Sequence, residues 1–477
     1  MLDSKKSKII SLVLLGVIVV ASILVFVIPP LLTEKFDEEL IIYNWADYMD
    51  LTILDDFAVY YEEKTGKSLK ITYTNFDTNE TMLTEIIRGD SNIDLISPSE
   101  YAIEKLLRSG VLEKLDFSVV EQYETLFVKT NLNKAITDKI GTVFSAIPTP
   151  DGEVNMNDYF IPYMWGTLGI LYNTNYISEE QIEEAGWGIL WNETNIPEIE
   201  GKILVKDSIR DTYAATVLYL KETEKLPAGY ENMNIEQLIN CTDEALVEAA
   251  EVALKEQKKH LKGYEVDFGK DDMVNEIALV DLAWSGDAMY AIEEAMDDEG
   301  KSYLSYYVPE IGSNIWFDGW VMPENANNKL AAYLFMNYLC RPDIAMYNTL
   351  EIGYSAAVDN SVYFTEDELD PNYEYALDAV DAWLECYEIE TVDEYYEEFF
   401  LDERRYPEVT ENLGMMQDFG DKNESIVEMW ERVKAHGEKG NWTLLIIIIA
   451  VIVVIGGAAA GLVIWKFKKP PKARKVE

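Results

Sequence analysis

The stretch LIIYNWADYMD at residues 40–50 decides the fold. Its apolar, β-branched first half is typical of a buried strand. The strand ends at Trp45, Asp47 and Tyr48, where two large aromatic residues flank a carboxylate. One interpretation is a strand-to-helix turn in which Asp47 or Asp50 caps the following helix. The other is the wall of a binding pocket for a cation, and the rest of the chain favours this second interpretation.

Strand-like and helix-like segments alternate after this stretch. They are the strand 40–43, the helix 52–65, the strand 69–74, the helix 79–88, the strand 93–96 and the helix 100–109. A β-α-β-α-β order predicts a parallel, doubly wound sheet, which binds its ligands beyond the carboxyl ends of the strands. Residues 44–48 and 97–101 each follow a strand, so we expect them to meet at the same rim of the sheet.

Later segments place the same residue types at strand ends. Asp211 follows the strand 203–205, Trp284 and Asp287 follow the strand 277–283, and the extended segment 315–322 carries Trp316 and Asp318. Aromatic rings attract ammonium groups and cover the methylenes between them, and carboxylates accept charge-assisted hydrogen bonds. A set of Trp, Tyr and Asp without Lys or His therefore indicates a site for an elongated organic cation.

The net charge of −48 argues against nucleic acid as a partner, because phosphates would be repelled. An acidic surface that only keeps the protein soluble would also account for much of this charge. His260 and His436 are far apart in the sequence and lack neighbouring ligands, so we expect no transition-metal site and no cofactor.

Two apolar segments frame the chain and predict membrane anchoring. Residues 9–32 follow three lysines and lack a cleavage site, which favours an uncleaved anchor over a signal peptide. Residues 444–465 form a second predicted span before a basic tail. The positive-inside rule places both tails, residues 1–8 and 466–477, in the cytoplasm and residues 34–441 outside the cell.

Five motifs follow one another along the chain: YNWADY at 43–48, TNETM at 78–82, DLISPS at 94–99, IPYMWG at 161–166 and LCRPD at 339–343. Together they resemble the spermidine/putrescine-binding proteins of bacterial ABC transporters over about residues 40–435. The resemblance implies an α/β, two-lobe periplasmic-binding-protein-like fold of type II that closes on its ligand. Lobe 1 would comprise about residues 40–160 and 319–355, and lobe 2 about 161–318 and 356–437. It also implies partners: a polyamine, the permease subunits of the transporter and the membrane.

The resemblance implies roles for twelve residues. Trp45, Trp284 and Trp316 would box the methylene chain beside Tyr48, Tyr101 and Tyr354; Asp47, Asp211, Asp287 and Asp318 would receive amines; Ser99 and Gln417 would add polar contacts. Alternatives remain: core packing for Trp284 and Trp316, a solvated helix start for Asp287, and a cap or an ion pair with Arg210 for Asp211. Asp287 matches putrescine-binding members and Tyr101 spermidine-binding ones, so the ligand's length stays open.

The predicted function is a membrane-anchored, extracellular substrate-binding component of a polyamine transporter, without enzymatic activity. A cell-surface carbohydrate-active enzyme is the first alternative, because Trp and Tyr platforms with paired carboxylates also suit a glycosidase. No catalytic motif such as Gly-x-Ser-x-Gly or a P-loop is present, which argues against it. The second alternative is a sensor ectodomain that binds polyamine without passing it on.

Overall fold

The computed structural model describes residues 35–437 except 90, 298–299 and 393. Both predicted membrane spans, residues 9–32 and 444–465, lie outside the described residues, as do the two predicted cytoplasmic tails. Within the described ranges, no helix has the length and apolar character that crossing a bilayer requires.

Thirteen strands occur in the described part of the chain. They are β1 Glu38–Trp45, β2 Leu69–Phe76, β3 Leu95–Ile96, β4 Ile147–Thr149, β5 Gly152–Val154, β6 Ile161–Asn173, β7 Ile203–Lys206, β8 Leu261–Glu265, β9 Val280–Trp284, β10 Leu304–Tyr307, β11 Ser313–Trp320, β12 Ser355–Ala356 and β13 Leu413–Gly414. The α-helices are Thr52–Thr65, Asn79–Arg88, Glu100–Arg108, Phe127–Thr130, Lys134–Val143, Glu179–Ala185, Ile209–Glu222, Ile235–Ile239, Glu244–Gln257, Gly269–Val274, Ser285–Glu294, Lys329–Tyr338, Pro342–Ile352, Tyr373–Cys386, Glu394–Leu401 and Asn423–Ala435.

The first sheet is parallel and has the order β2-β1-β3, as the β-α-β-α-β pattern predicts. Trp45 is the last residue of β1, and Ser99 lies three residues after the end of β3. Because the carboxyl ends of parallel strands meet at one edge of a sheet, these two segments share a rim.

The second sheet is mixed and has the order β13-β11-β6-β9-β7-β8, with β10 and β12 also paired to β6. All thirteen residues of β6 are buried, and its sequence accordingly shows no alternation of apolar and polar residues. Strands covered on both faces have continuous apolar sequences, which is why the sequence reveals this strand only as a motif.

The two sheets meet at the end of β11. Ser99 bridges to Asp318, and Ile96 bridges to Val321, so β11 passes from the second sheet into the first. A bulge falls between Asp318 and Gly319, where a Cβ on the glycine would lie 2.3 Å from the carbonyl oxygen of Ile161. The close backbone approach therefore requires glycine at this position.

The two sheets and their separate core clusters agree with the two-lobe α/β architecture predicted from the sequence. Trp383, on the helix Tyr373–Cys386, belongs to the same core cluster as Leu40 and Phe57 of the first lobe. Met429, near the end of the chain, belongs instead to a second-lobe cluster. The exact lobe boundaries stay a prediction, and this packing favours placing residues 373–401 with the first lobe.

Candidate functional site

A cavity of about 440 Å³ opens where the two sheets meet. Eleven of the twelve site residues predicted from the sequence line it: Trp45, Asp47, Tyr48, Ser99, Tyr101, Asp211, Trp284, Asp287, Trp316, Asp318 and Tyr354. Gln417 is not among the lining residues. Its backbone carbonyl accepts a hydrogen bond from Arg210 (2.7 Å), and its N–H donates to Asn240 (2.7 Å).

Aromatic rings in edge-to-face contact form one wall of the cavity. The centroid of the Tyr354 ring lies 5.1 Å from that of Tyr48 and 5.5 Å from that of Trp316, with interplanar angles of 81° and 67°. Trp45 packs separately against Phe76, with centroids 4.5 Å apart. Such contacts fix the ring orientations, so this wall is organised before any ligand enters. Trp316 belongs to the core cluster and lines the cavity at once, so its two predicted roles coexist.

Asp318 is a buried carboxylate without a resident counter-ion. Its side chain is only 8% exposed, and within the described ranges no Lys or Arg forms an ion pair with it. Burial raises the pKa of Asp318 to about 7, although the hydroxyls of Ser99 and Tyr48 favour the charged form and oppose this shift. A buried carboxylate of this kind is costly to ionise unless a cation arrives beside it.

The serine that faces Asp318 is oriented by a neighbouring amide. Asn79 Nδ2 donates to Ser99 Oγ (3.1 Å) and to the Tyr101 hydroxyl (2.8 Å). Because Ser99 Oγ accepts from Asn79, its own proton is free to point toward Asp318. Asn79 therefore positions two of the predicted site residues, and its place in the TNETM motif was the signal for it.

Asp211 is held by two donors of the second lobe. Trp284 Nε1 donates to its Oδ1 (3.2 Å), and the Ser208 hydroxyl donates to its Oδ2. Burial raises the pKa of Asp211, and these two hydrogen bonds oppose the shift. The cap of the helix Ile209–Glu222 is Ser208 rather than Asp211. Arg210 forms no ion pair with Asp211 and stacks on Phe419 at 3.4 Å instead.

Asp47 stands exposed at the rim, in the left-handed backbone region with φ of 48°. The N-cap of the helix Thr52–Thr65 is Leu51, and Asp50 Oδ1 accepts from the backbone N–H of Thr52 (2.9 Å). The side chain of Asp47 is therefore not engaged in capping, and it is open to the cavity.

Lys206 is the most important lining residue that the sequence reasoning missed. It is the last residue of β7 and only 1% exposed, and its Nζ lies 4.3 Å from the centre of the Trp284 ring. The same ammonium lies 2.5 Å from Glu265 Oε1 and 3.3 Å from Asp287 Oδ2. A signal was available, because a lysine at the end of an apolar strand must find carboxylates when it is buried.

Asp287 is already engaged on both oxygens. Its Oδ1 accepts from the Tyr354 hydroxyl (2.9 Å), and Lys270 Nζ lies 3.7 Å away on the same side. With Lys206 on the other oxygen, two ammonium groups face this carboxylate. Asp287 lies in the first turn of the helix Ser285–Glu294 but is only 6% exposed, so it is not a solvated helix start.

Glu100 and Glu80 are further acids that the sequence reasoning passed over. Glu100 is 1% exposed and accepts from the backbone N–H of Phe317 (3.1 Å), and burial raises its pKa to about 8. Burial also raises the pKa of Glu80, and the positive charge of Arg210 opposes this rise. Eleven carboxyl side chains and three lysines line the cavity in total. The cavity is therefore strongly acidic and suits a ligand with more than one positive charge.

Comparisons with known proteins agree with this geometry. Residues 56–371 match the family described as bacterial extracellular solute-binding protein. The putrescine-binding periplasmic protein PotF of Escherichia coli (strain K12) is 27% identical over 321 residues, covering 66% of this chain and 77% of PotF. The spermidine/putrescine-binding periplasmic protein of Salmonella typhimurium is 27% identical over 319 residues, covering 67% of this chain and 77% of that protein.

Among solved structures, the substrate-binding protein PotD of a spermidine/putrescine ABC transporter from Streptococcus pneumoniae superposes with a TM-score of 0.55. It is 26% identical, and the match covers 84% of this chain and 99% of PotD. The resemblance that the five motifs indicate is thus confirmed in sequence and in fold. The chain belongs to the bacterial extracellular solute-binding proteins.

Proposed function

We propose that this protein is the membrane-anchored, extracellular substrate-binding component of an ABC transporter that captures putrescine or spermidine. The observation that carries the proposal is Asp318, a buried carboxylate without a resident cation, beside the rings of Tyr48 and Trp316. The similarity to PotF and PotD supports the same ligand class.

In this proposal an ammonium group of the ligand approaches Asp318 and donates a charge-assisted hydrogen bond to its carboxylate. The methylene chain then lies along Trp45, Tyr48 and Trp316. Each of these rings that also contacts an ammonium group contributes roughly 0.5–2 kcal/mol through a cation–π interaction. The arriving cation stabilises the ionised form of Asp318, so binding and deprotonation of this carboxyl are coupled.

Lobe closure completes the proposed mechanism. The cavity lies between the two sheets, and the connecting chain passes through Asp318 and Gly319, so closure would bring the two sets of lining residues together on the ligand. The predicted spans at 9–32 and 444–465 would hold the closed form near its permease, which raises its local concentration.

Calorimetric titration of the full-length chain in a non-ionic detergent tests the ligand class. Putrescine and spermidine are each titrated, with a neutral oligosaccharide as the control. We expect one amine per protein and no heat from the sugar. Binding of the oligosaccharide without binding of either amine would overturn the proposal and favour the carbohydrate-active alternative.

A further inference from the structure

Lys206 places a protein ammonium inside the aromatic and acidic cavity. Its Nζ lies over the Trp284 ring, and Glu265 and Asp287 flank it while it donates to the carbonyl oxygen of Val266 (3.1 Å). The ammonium donates hydrogen bonds to Val266 and Asp287 and forms an ion pair with Glu265. Burial alone would lower the pKa of Lys206, but Glu265 and Asp287 raise it, so the side chain is charged.

The surroundings of Lys206 are those that a ligand amine would need. They consist of the face of the Trp284 ring and the two buried carboxylates of Glu265 and Asp287. Asp287 in turn already accepts a hydrogen bond on each oxygen, from Tyr354 and from Lys206, and the ammonium of Lys270 lies 3.7 Å from one of them, so its charge is balanced by groups of the protein.

The charges of the cavity are unevenly distributed between its two sides. Its three lysines are Lys206, Lys270 and Lys434, and they all lie on the side formed by residues 206–287 and 416–434. The opposite side, formed by residues 45–101 with Asp318 and Tyr354, contributes carboxylates and rings but no Lys or Arg among the described lining residues. The acids of this second side, Asp47, Asp77, Glu80, Glu100 and Asp318, therefore have no lysine beside them among the described lining residues.

We propose that Lys206 is a built-in ammonium that fills the cation position between Trp284 and Asp287, so that the cavity selects a short aliphatic diamine over longer polyamines. The inference rests on the proposed function and refines it. A diamine places its ammonium groups on the second side, near Asp318. A longer polyamine has to bring a further ammonium toward Lys206 and Lys270, which repel it.

The first test replaces Asp287 by Asn and measures putrescine binding to the full-length chain. If the resident lysines already engage Asp287, Asp287→Asn weakens putrescine binding by tenfold at most, because the charge that it removes is balanced by Lys206 and Lys270 rather than by the ligand. If Asp287 holds the ligand's amine, its loss removes a charge-assisted contact, and the affinity falls more than thirtyfold. A loss of more than tenfold overturns the inference. No amine binding by the unaltered protein would instead overturn the proposed function, so the two failures are distinguishable.

The second test replaces Lys206 by Met, which keeps the length of the stem and removes the charge. We expect the ratio of spermidine to putrescine affinity to rise at least tenfold, because Asp287 and Glu265 become available to the added ammonium. Lys262→Met is the matched control, since Lys262 pairs with Asp272 (2.8 Å) in the same lobe but does not line the cavity. An unchanged ratio in folded Lys206→Met overturns the selection, and if that variant does not fold, Asp287→Asn decides alone.

Discussion

Ser99 and Asp318 form a backbone bridge between the two sheets of the protein, and the carboxylate of Asp318 faces the cavity at that bridge. The residue proposed to hold the ligand's ammonium therefore stands where the chain crosses between lobes. A cation bound at Asp318 touches the junction itself, which connects ligand capture with the relative position of the lobes.

The pH dependence of amine binding follows from Asp318. Its pKa of about 7 belongs to the ligand-free protein, and a bound ammonium favours the ionised carboxylate. Below pH 7 binding must release a proton, so affinity should fall up to roughly tenfold per pH unit. Above pH 8 Asp318 is already ionised in the free protein, so its contribution to the pH dependence of the affinity should level off. Calorimetry between pH 5.5 and 8.5 checks this, and an affinity that rises on acidification would contradict the assignment.

Removing the Ser99 hydroxyl should shift that profile. The hydroxyl favours the ionised form of Asp318, so Ser99→Ala should raise the pKa of the carboxyl further. The midpoint of the pH profile should therefore move upward, with affinity at pH 9 nearly unchanged. Ser118→Ala is a suitable control, because Ser118 does not line the cavity and lies in the short helical turn that Asp116 caps. A uniform loss of affinity at every pH would show a different role for Ser99.

Asp318→Asn should stabilise the ligand-free protein at alkaline pH. The folded pKa of Asp318 is above its usual value of 3.8, so the folded state holds this proton more tightly than the unfolded state. Stability from this group is thus fully present below pH 4 and is lost as pH rises through 7. At pH 8.5 the asparagine variant should be more stable by up to about 4 kcal/mol, because each pKa unit between 3.8 and about 7 is worth about 1.4 kcal/mol, and it should show little difference at pH 4. Thermal unfolding at both values measures this, and a destabilised variant at pH 8.5 would count against it.

Trp316 should contribute to binding through its ring. Trp316→Ala removes one aromatic face and should weaken putrescine binding about tenfold, equivalent to roughly 1.4 kcal/mol. Trp316→Phe should retain most of the affinity, because it preserves an aromatic contact with Tyr354. Since Trp316 is also part of the core, melting curves of both variants separate a binding effect from unfolding. Equal and small effects in both folded variants would place the ligand elsewhere.

The sequence predicts the first lobe better than the second. The strands of the parallel sheet alternate with amphipathic helices, and that order shows directly in the sequence. Strand β6 crosses the middle of the second sheet but is buried on both faces, so no alternation distinguishes it from a buried helix. The passage of β11 between the sheets depends on a bulge at Gly319, which is a tertiary feature.

The sequence predicts most of the aromatic residues and several of the acids that line the cavity, but it does not predict the lysines that line it. Trp45, Asp318 and nine others line one cavity because most of them follow strand ends and because β11, which carries Trp316 and Asp318, passes between the two sheets. Glu100 was missed because its contact with the backbone of Phe317 is a tertiary feature, whereas Lys206, at the end of an apolar strand, left a signal in the sequence. Gln417 was expected by resemblance alone, and it forms hydrogen bonds with Arg210 and Asn240 through its backbone.

The most direct test of the central claim is calorimetric titration of putrescine into the full-length protein and its Asp318→Asn variant at pH 8. Asp116→Asn is the control, because Asp116 is an acidic cap at the surface and lies outside the cavity. The claim predicts one tight site in the unaltered and control proteins and a loss of at least thirtyfold, about 2 kcal/mol, in Asp318→Asn. Equal affinity in all three proteins, with the fold of each intact, would contradict the claim that Asp318 holds the ligand.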